Sequence, residues 1–372
     1  MKIALVHEFL NQLGGAERVL QNFLEIWPEA TVHVLIYDRG KTFGIFEAYK
    51  KHLSLLDGMP FAHSHHRWLL PLMPFAVERF NFEDYDVVIS DASSFAKGVQ
   101  TKGKLHVSYC HTPTRFLWTE SDDYISSQPY PAYAKWGARA ILPFLKRWDY
   151  KASKRPDYFI ANSVNVQRRI KKYYGRDSIV VSPPVDTELF HPHGEKENYF
   201  FVASRIEPYK KIELVIRAFN DLGLPLKVAG SGTDSGRLRK LARSNIEFLG
   251  RISDEELRQR YSEALAFIFP AEEDAGIMPL EAQSCGTPVI AYRAGGALET
   301  VKESITGEFF SQQTPEALKT KLETFDPKKY NHQIIRQHAL QFDKKIFQEK
   351  IKAFVEEKYN GVKGNKGNKG KL

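Results

Sequence analysis

Only two cysteines, Cys110 and Cys285, occur in 372 residues. They lie far apart, which argues against a disulfide framework and fits a reducing cytosol. No C-x-x-C pair or zinc-finger spacing is present, so a structural zinc site has no cysteine support. Long hydrophobic runs are missing as well. No stretch approaches the ~20 apolar residues of a membrane span. The opening residues, MKIALVHEFLNQLGG, hold a short apolar run that Glu8 and Gly14-Gly15 interrupt, unlike a signal peptide. The expected location is cytoplasmic, reaching to the inner face of the plasma membrane. Acidic excess is absent too: 53 Lys and Arg against 45 Asp and Glu leave a net charge of +8. That balance fits a solvated basic surface with a Lys-rich tail, or attraction to nucleotide phosphates or an anionic membrane face. No nucleic-acid-binding signature accompanies the charge, so nucleic acid is not an expected partner.

What is present is the composition of an ordinary globular protein, 42% hydrophobic and 26% charged. The length exceeds what one core usually serves, so two domains are expected. Short β-rich runs at 2–7, 31–37, 85–90, 104–110, 157–162 and 178–182 read as strands. Their continuous Val/Ile character suits a parallel sheet buried on both faces. Residues 15–26 and 164–174 have helical apolar spacing. After Pro183-Pro184 and the polar stretch 191–198, read as a linker, the alternation restarts. Strands are expected in NYFFVASRI, LPLKVAGSG, NIEFLGRI, LAFIFPA, TPVIAY and GEFF, with helices at 211–222, 234–243, 254–264, 279–285, 297–303 and 315–324. The fold class is therefore α/β: two Rossmann-like, doubly wound domains facing each other across a cleft. The domains are set at 1–188 and 189–341, with a helix at about 342–360 packing back on the first and a disordered tail at 361–372.

Four segments carry chemistry. The richest is FIFPAEEDAGIMPLEAQSCGTPVIAYRAGGALET, 267–300. There a strand gives way to an acidic loop, then Gly276, then a short helix with Pro279 near its start and Gly286 past its end. The amides near Gly276, Ile277 and Met278 can face an anion. Glu281, on the helix, can accept from the vicinal hydroxyls of a ribose, and Glu273, in the loop, from those of a hexose. SRIEPYKK, 204–211, follows the first strand of the second half. Arg205 and Lys210 there could neutralise a diphosphate, with Lys211 as an alternative to Lys210. Gly14-Gly15 follow the first strand and would let backbone approach a bound group. His111 opens HTPTRFLW, 111–118, at another strand's carboxyl end.

Taken together, these residues resemble the GT-B glycosyltransferases of family GT4 (group 1), above all the bacterial mannosyltransferases of surface polysaccharide (O-antigen) synthesis. The E-x7-E motif falls on Glu273 and Glu281, the phosphate-binding pair on Arg205 and Lys210, the Gly-rich loop on Gly14-Gly15, and the first domain's active-site His on His111. Asn162-Ser163, PPVDTELF and the glycines Gly230 and Gly232 also fit. The family's usual Gly residues are replaced by Ser204 and Lys211, and the acidic loop lacks its common aromatic. The resemblance implies a retaining, metal-independent transferase needing no cofactor beyond its nucleotide-sugar, GDP-mannose first. It places the ribose on Glu281, the donor sugar on Glu273 and His111, and the diphosphate on Arg205 and Lys210. Arg251 is a further candidate donor contact. A polyprenyl-diphosphate-linked glycan is the expected acceptor. HRWLLPLMPFAVERF, 66–80, and the aromatic–basic stretch 131–155 are either core segments or a membrane-facing patch, with Arg67, Trp68, Arg115 and Trp118 as contacts.

Other patterns point elsewhere. Asp84-Tyr85-Asp86 spells a metal-binding D-x-D but precedes a strand and reads as structural. His63, His65 and His66 have no carboxylate or Cys at ligand-like spacing. GSGTDSG, 230–236, resembles a dinucleotide fingerprint with G-x-G-x-x-x-G spacing, and makes an NAD-dependent oxidoreductase the alternative reading. A catalytically silent sugar-binding module is the third.

Overall fold

The computed structural model describes residues 1–119 and 132–368. Its contacts divide the chain into Met1–Ser182 with Gln348–Leu372, and Pro183–Phe347.

The first unit holds β1 (Ile3–Leu10), α1 (Gly15–Ile26), β2 (Thr31–Tyr37), β3 (Lys51–Leu53), α2 (Ala62–His65), α3 (Met73–Glu78), β4 (Val87–Ala92), β5 (Leu105–Cys110), α4 (Arg115–Trp118), α5 (Ala132–Ala152), β6 (Tyr158–Ala161), α6 (Val164–Tyr174) and β7 (Ile179–Val180). The strands form one parallel sheet in the order β3-β2-β1-β4-β5-β6-β7. Nearly every position of β1, β2, β4 and β5 is buried, as the unbroken apolar runs require. The chain steps from β1 out to β3, then returns to place β4 on the other side of β1. That reversal is where doubly wound sheets bind ligands. α1 buries Val19, Leu20, Phe23 and Leu24, and begins with the Glu17 carboxylate accepting from Gly14 N at 2.8 Å. α6 has Ser163 as its N-cap and Gly175 past its end, the stop signals the sequence carries.

The second unit holds β8 (Phe200–Ala203), α7 (Ile212–Leu222), β9 (Leu226–Ala229), α8 (Ser235–Leu241), β10 (Ile246–Gly250), α9 (Asp254–Glu263), β11 (Phe267–Phe269), α10 (Ile277–Ser284), β12 (Val289–Tyr292), α11 (Ala297–Thr300), β13 (Gly307–Phe310), α12 (Pro315–Thr324) and α13 (His332–Leu340). Its sheet is also parallel, in the order β10-β9-β8-β11-β12-β13, and reverses between β8 and β11.

Two expectations need correction. The boundary falls at Ser182/Pro183 rather than 188/189. PPVDTELF belongs wholly to the second unit, because Phe190 is buried in its core and Val185 pairs with Asp343. The last helix, α14 (Lys344–Asn368), runs into the tail expected to be disordered, so 361–368 is helical. From Gln348 onward it belongs with the first unit: Gln348 donates to Asn22 at 2.9 Å and Phe354 meets the Tyr158 ring at 5.8 Å. β3 was not anticipated; three half-exposed residues, KHL, carry no periodicity to read.

Candidate active site

In the second unit, the two segments flanking the sheet reversal are the two richest in the sequence. Ser204–Lys211 leaves β8, and Pro270–Gly276 leaves β11. They are brought into contact: the Lys210 ammonium donates to the Glu273 carboxylate. Lys210 ends a 3-10 turn at Pro208–Lys210 and is mostly buried. Lys211, its alternative, is exposed and adopts φ 58°, in the left-handed region that favours Gly. Arg205 lies exposed on the same segment. Gly276, at φ 70°, is the N-cap of α10 and has no side chain to offer, so the first-turn amides of Ile277 and Met278 are left for an anion. One helical turn on, Glu281 is buried and accepts from the Tyr261 hydroxyl at 3.2 Å. Tyr261, itself fully buried, is a site residue that sequence reading missed.

Glycines fix this edge by close approach. A Cβ on Gly230 would lie 1.8 Å from Ser204 O, and one on Gly232 2.2 Å from Ile206 O. The GSG loop is thus pressed against the Arg205 segment. Its amides are consumed in doing so: Gly230 N donates to Gly250 O at 2.6 Å, Gly232 N to Ser235 Oγ at 3.0 Å and Asp234 N to Ile206 O at 3.1 Å. A dinucleotide cradle needs those N–H groups turned outward. Gly230 and Gly232 therefore shape this edge of the sheet, and the oxidoreductase reading loses the feature that motivated it. Gly295 and Gly296, which the sequence reading passed over, do the same for the acidic loop. Gly296 N donates to Glu273 O at 2.7 Å, and a Cβ there would sit 2.6 Å from the Ala275 backbone. Arg251 is exposed just past β10.

In the first unit, the sheet reversal carries a buried polar chain. His7 of β1 and Asp91 of β4 are in register, and His7 Nδ1 meets Asp91 Oδ2 at 2.9 Å. The other Asp91 oxygen meets His111 Nε2 at 2.6 Å. His7 Nε2 lies 3.7 Å from Glu17, the residue that caps Gly14. Gly14-Gly15 thus sit where α1 starts, tied through Glu17 to the His7 group. Burial opposes the charge on His7, but its hydrogen bond to Asp91 and the nearby Glu17 outweigh it, and the pKa rises from 6.5 to about 10. Burial likewise opposes ionisation of Asp91, yet His111 and His7 hold its carboxyl below the usual range. Burial is the main cause of low values at His33, about 4 with the neighbouring His52 adding to it, at His66, about 4, and at His106, about 3.

These shifts give a signed pH dependence. A raised His7 stabilises the fold fully below pH 6.5, and that contribution is lost as pH climbs toward 10. The lowered histidines contribute fully above pH 6.5 and lose it as pH falls toward 4. Melting temperature should therefore peak near pH 6.5, with each unit of displacement worth ~1.4 kcal/mol. In a His7→Gln variant the alkaline decline should flatten; an unchanged alkaline slope in melting scans would contradict the assignment.

The remaining candidates divide. Arg67 and Trp68 are exposed, and Trp68 packs on Phe61 and His65. Trp118 is not a surface contact: its indole N–H donates to buried Asp149 at 2.7 Å and its ring lies 5.3 Å from Tyr173. Arg115 is half-buried beside it on α4. Asp86 of the D-x-D accepts from Lys2 N at 2.8 Å at the amino edge of the sheet, away from the reversal. Among the described residues no group of three His, Cys, Asp or Glu could hold a metal ion.

Comparison with known proteins gives the same two halves. The family "Glycosyltransferase Family 4" matches residues 13–189, and "Glycosyl transferases group 1" matches 186–339. An uncharacterized glycosyltransferase of Methanocaldococcus jannaschii is 24% identical over 213 residues, 56% of this chain and 60% of that protein. The D-inositol 3-phosphate glycosyltransferase of Mycobacterium tuberculosis is 30% identical over 181 residues, 42% of this chain and 38% of that protein. The matched stretches thus span about half the length of these relatives. Among solved structures, Anabaena HepE in complex with UDP-glucose superposes with TM-score 0.71 at 18% identity, covering 96% of this chain and 100% of that one. Sucrose-phosphate synthase from Thermosynechococcus elongatus gives TM-score 0.77 at 15% identity, over 97% and 100%. The two Rossmann-like units are those of the GT-B fold.

Proposed function

We propose that this chain, which belongs to the group 1 glycosyltransferases, moves a sugar from a nucleoside-diphosphate donor to a glycan acceptor, with retention and without a metal. What carries the reading is the single edge of the second unit on which Lys210, Glu273, the uncapped start of α10 and buried Glu281 converge. Glu281 holds the ribose, with Tyr261 fixing its carboxylate. Glu273 contacts the donor sugar; for His111 such a contact is what the family resemblance implies. As the nucleoside diphosphate departs, negative charge grows on it, and Arg205, Lys210 and the Ile277 and Met278 amides offset that charge. In that role they replace a divalent ion. With no covalent nucleophile assigned, the acceptor attacks from the face the leaving group vacates.

The donor we favour is GDP-mannose, on the HTPTRFLW pattern. The acceptor we favour is a polyprenyl-diphosphate-linked glycan of surface polysaccharide synthesis, met at the inner face of the plasma membrane. An exposed aromatic set supports this: Phe61, Trp68 and Phe75, with Phe75 stacked on exposed Phe144 of α5 at 6.3 Å and Arg67 alongside. No described helix is long and apolar enough to cross a membrane. Flotation with anionic liposomes at low salt should recover the protein with the vesicles, and its absence there would remove the membrane-bound acceptor.

The deciding experiment is a thermal-shift panel of GDP-mannose, UDP-glucose, UDP-GlcNAc, dTDP-rhamnose and NAD, all in EDTA. Occupancy at a hundred times Kd adds ~2.7 kcal/mol, easily seen as a raised Tm. Stabilisation by GDP-mannose in EDTA, lost on Glu281→Ala, is the expected outcome. Stabilisation by UDP-glucose instead would replace the donor, and by NAD alone would overturn the transferase.

A further inference from the structure

Asp91 has two oxygens and two imidazoles, one on each: His7 Nδ1 at 2.9 Å and His111 Nε2 at 2.6 Å. A carboxylate only accepts, so both contacting nitrogens carry protons. For His7 the second nitrogen faces Glu17 at 3.7 Å, so carboxylates flank the ring on both sides and it is an imidazolium. Asp91 and Glu17 are buried to 1% and 3%, and neither can swing out to water without breaking this chain. His111 is the terminal member and the only one with appreciable exposure, 13%. Its backbone is pinned as well, with Asn162 Nδ2 donating to His111 O at 2.9 Å and Tyr109 edge-on to the ring at 5.3 Å.

We propose that Asp91 is a positioning residue that fixes His111 as its Nε2–H tautomer, that the His7–Glu17 pair holds Asp91 in place to do so, and that the free Nδ1 of His111 accepts a hydrogen bond from a hydroxyl of the bound sugar. The inference rests on the reading of His111 as a donor-sugar contact. It deepens that reading by naming what this position recognises. A neutral ring held in this tautomer presents an acceptor, so the matching ligand group must donate. A hydroxyl fits; an O-methyl ether or a deoxy carbon at the same place does not. The cost of the mismatch is that this acceptor loses its water on binding and gains no partner. Nothing in the local sequence announces this, because Glu17, His7, Asp91 and His111 come from four separate elements.

The test is the tautomer itself. Protein labelled with 15N-histidine reports, in long-range 1H–15N correlations, which ring nitrogen of each histidine is protonated; His111→Gln identifies the His111 signals. The wild-type chain should show His111 as Nε2–H with an unprotonated Nδ1. In Asp91→Asn the amide can donate as well as accept, and the pattern should shift toward Nδ1–H. Turnover of the stabilising sugar nucleotide should fall on the order of tenfold to a hundredfold in kcat, with less than about threefold change in donor KM. If Asp91→Asn does not fold, His7→Gln, which leaves Asp91 in place, should give the same shift in smaller measure. A wild-type His111 protonated on Nδ1, or a tautomer unmoved in both variants, overturns the proposal. Failure of the transferase reading is told apart, because it would show as no stabilisation by any sugar nucleotide.

Discussion

Lys210→Met should lower kcat by on the order of 10²–10³ while leaving the fold intact. The charge it removes is the one proposed to face the leaving group. Lys210 is held at the end of a 3-10 turn, mostly buried, against Glu273 on the other side of the sheet reversal. Such a group is already oriented before the donor arrives, so none of its interaction is spent on ordering a flexible chain. Its loss leaves Glu273, a quarter exposed, to be solvated, and surface-accessible pairs contribute ~1 kcal/mol or less to stability. Melting temperature should accordingly move little while turnover collapses. Lys211→Met is the matched comparison, since that side chain is exposed and lies off the contact. Its effect on kcat should be the smaller by at least tenfold. If the order were reversed, with Lys211→Met crippling and Lys210→Met mild, the phosphate-facing role would belong to Lys211. Initial rates in EDTA, with the sugar nucleotide that raises the melting temperature, decide it.

The second unit's candidate residues were legible because they are packed into two short strings, 204–211 and 270–281. Each lies directly after one strand, and strand order alone puts the two strands side by side. The ambiguity between Lys210 and Lys211 was not legible, because it turns on one backbone angle. Nor was Tyr261, which sits on α9 and reaches Glu281 only through the packing of α9 beside α10. In the first unit the situation is reversed. His111 could be singled out by its place at a strand end, but its partners His7 and Asp91 are 84 residues apart and meet only through strand register.

Fold followed the same rule. Helices 15–26 and 164–174 match α1 and α6 residue for residue, since apolar spacing, caps and flanking glycine agree. The GSG loop left an alternative open because glycine required for close backbone approach and glycine required for phosphate binding look alike in sequence. Only the direction of the amides separates them, and here they point inward. The domain boundary was placed six residues late because a polar, Pro/Gly-containing stretch looks like a linker even when a buried Phe190 ties it down.

Asp149→Ala should destabilise the protein by ~3–5 kcal/mol, the largest stability loss expected of any single replacement considered. Asp149, on α5, and Lys97, after β4, are each 1% exposed and 2.6 Å apart. The Asp149 carboxylate also accepts from Thr114 Oγ1 at 2.7 Å, Trp118 Nε1 at 2.7 Å and the Tyr174 hydroxyl at 2.9 Å. It thereby ties together α5, α6 and the segment that runs from His111 to α4. Removing it strands the Lys97 ammonium and three donors in an apolar surround, and a buried charge without its partner costs far more than the pair is worth. The double variant Lys97→Met/Asp149→Leu removes the charge problem and keeps the volume, so it should recover much of the loss. Urea melts of Lys97→Met, Asp149→Leu and the double, read beside Asp149→Ala, give the coupling directly. A single variant within about 1 kcal/mol of wild type, or a double no better than Asp149→Ala, would mean the pair is solvated and not a hub. The double variant also separates stability from positioning. If it is stable yet loses turnover, the hydrogen bonds to Thr114 and Trp118 are what hold the His111 segment in its working place.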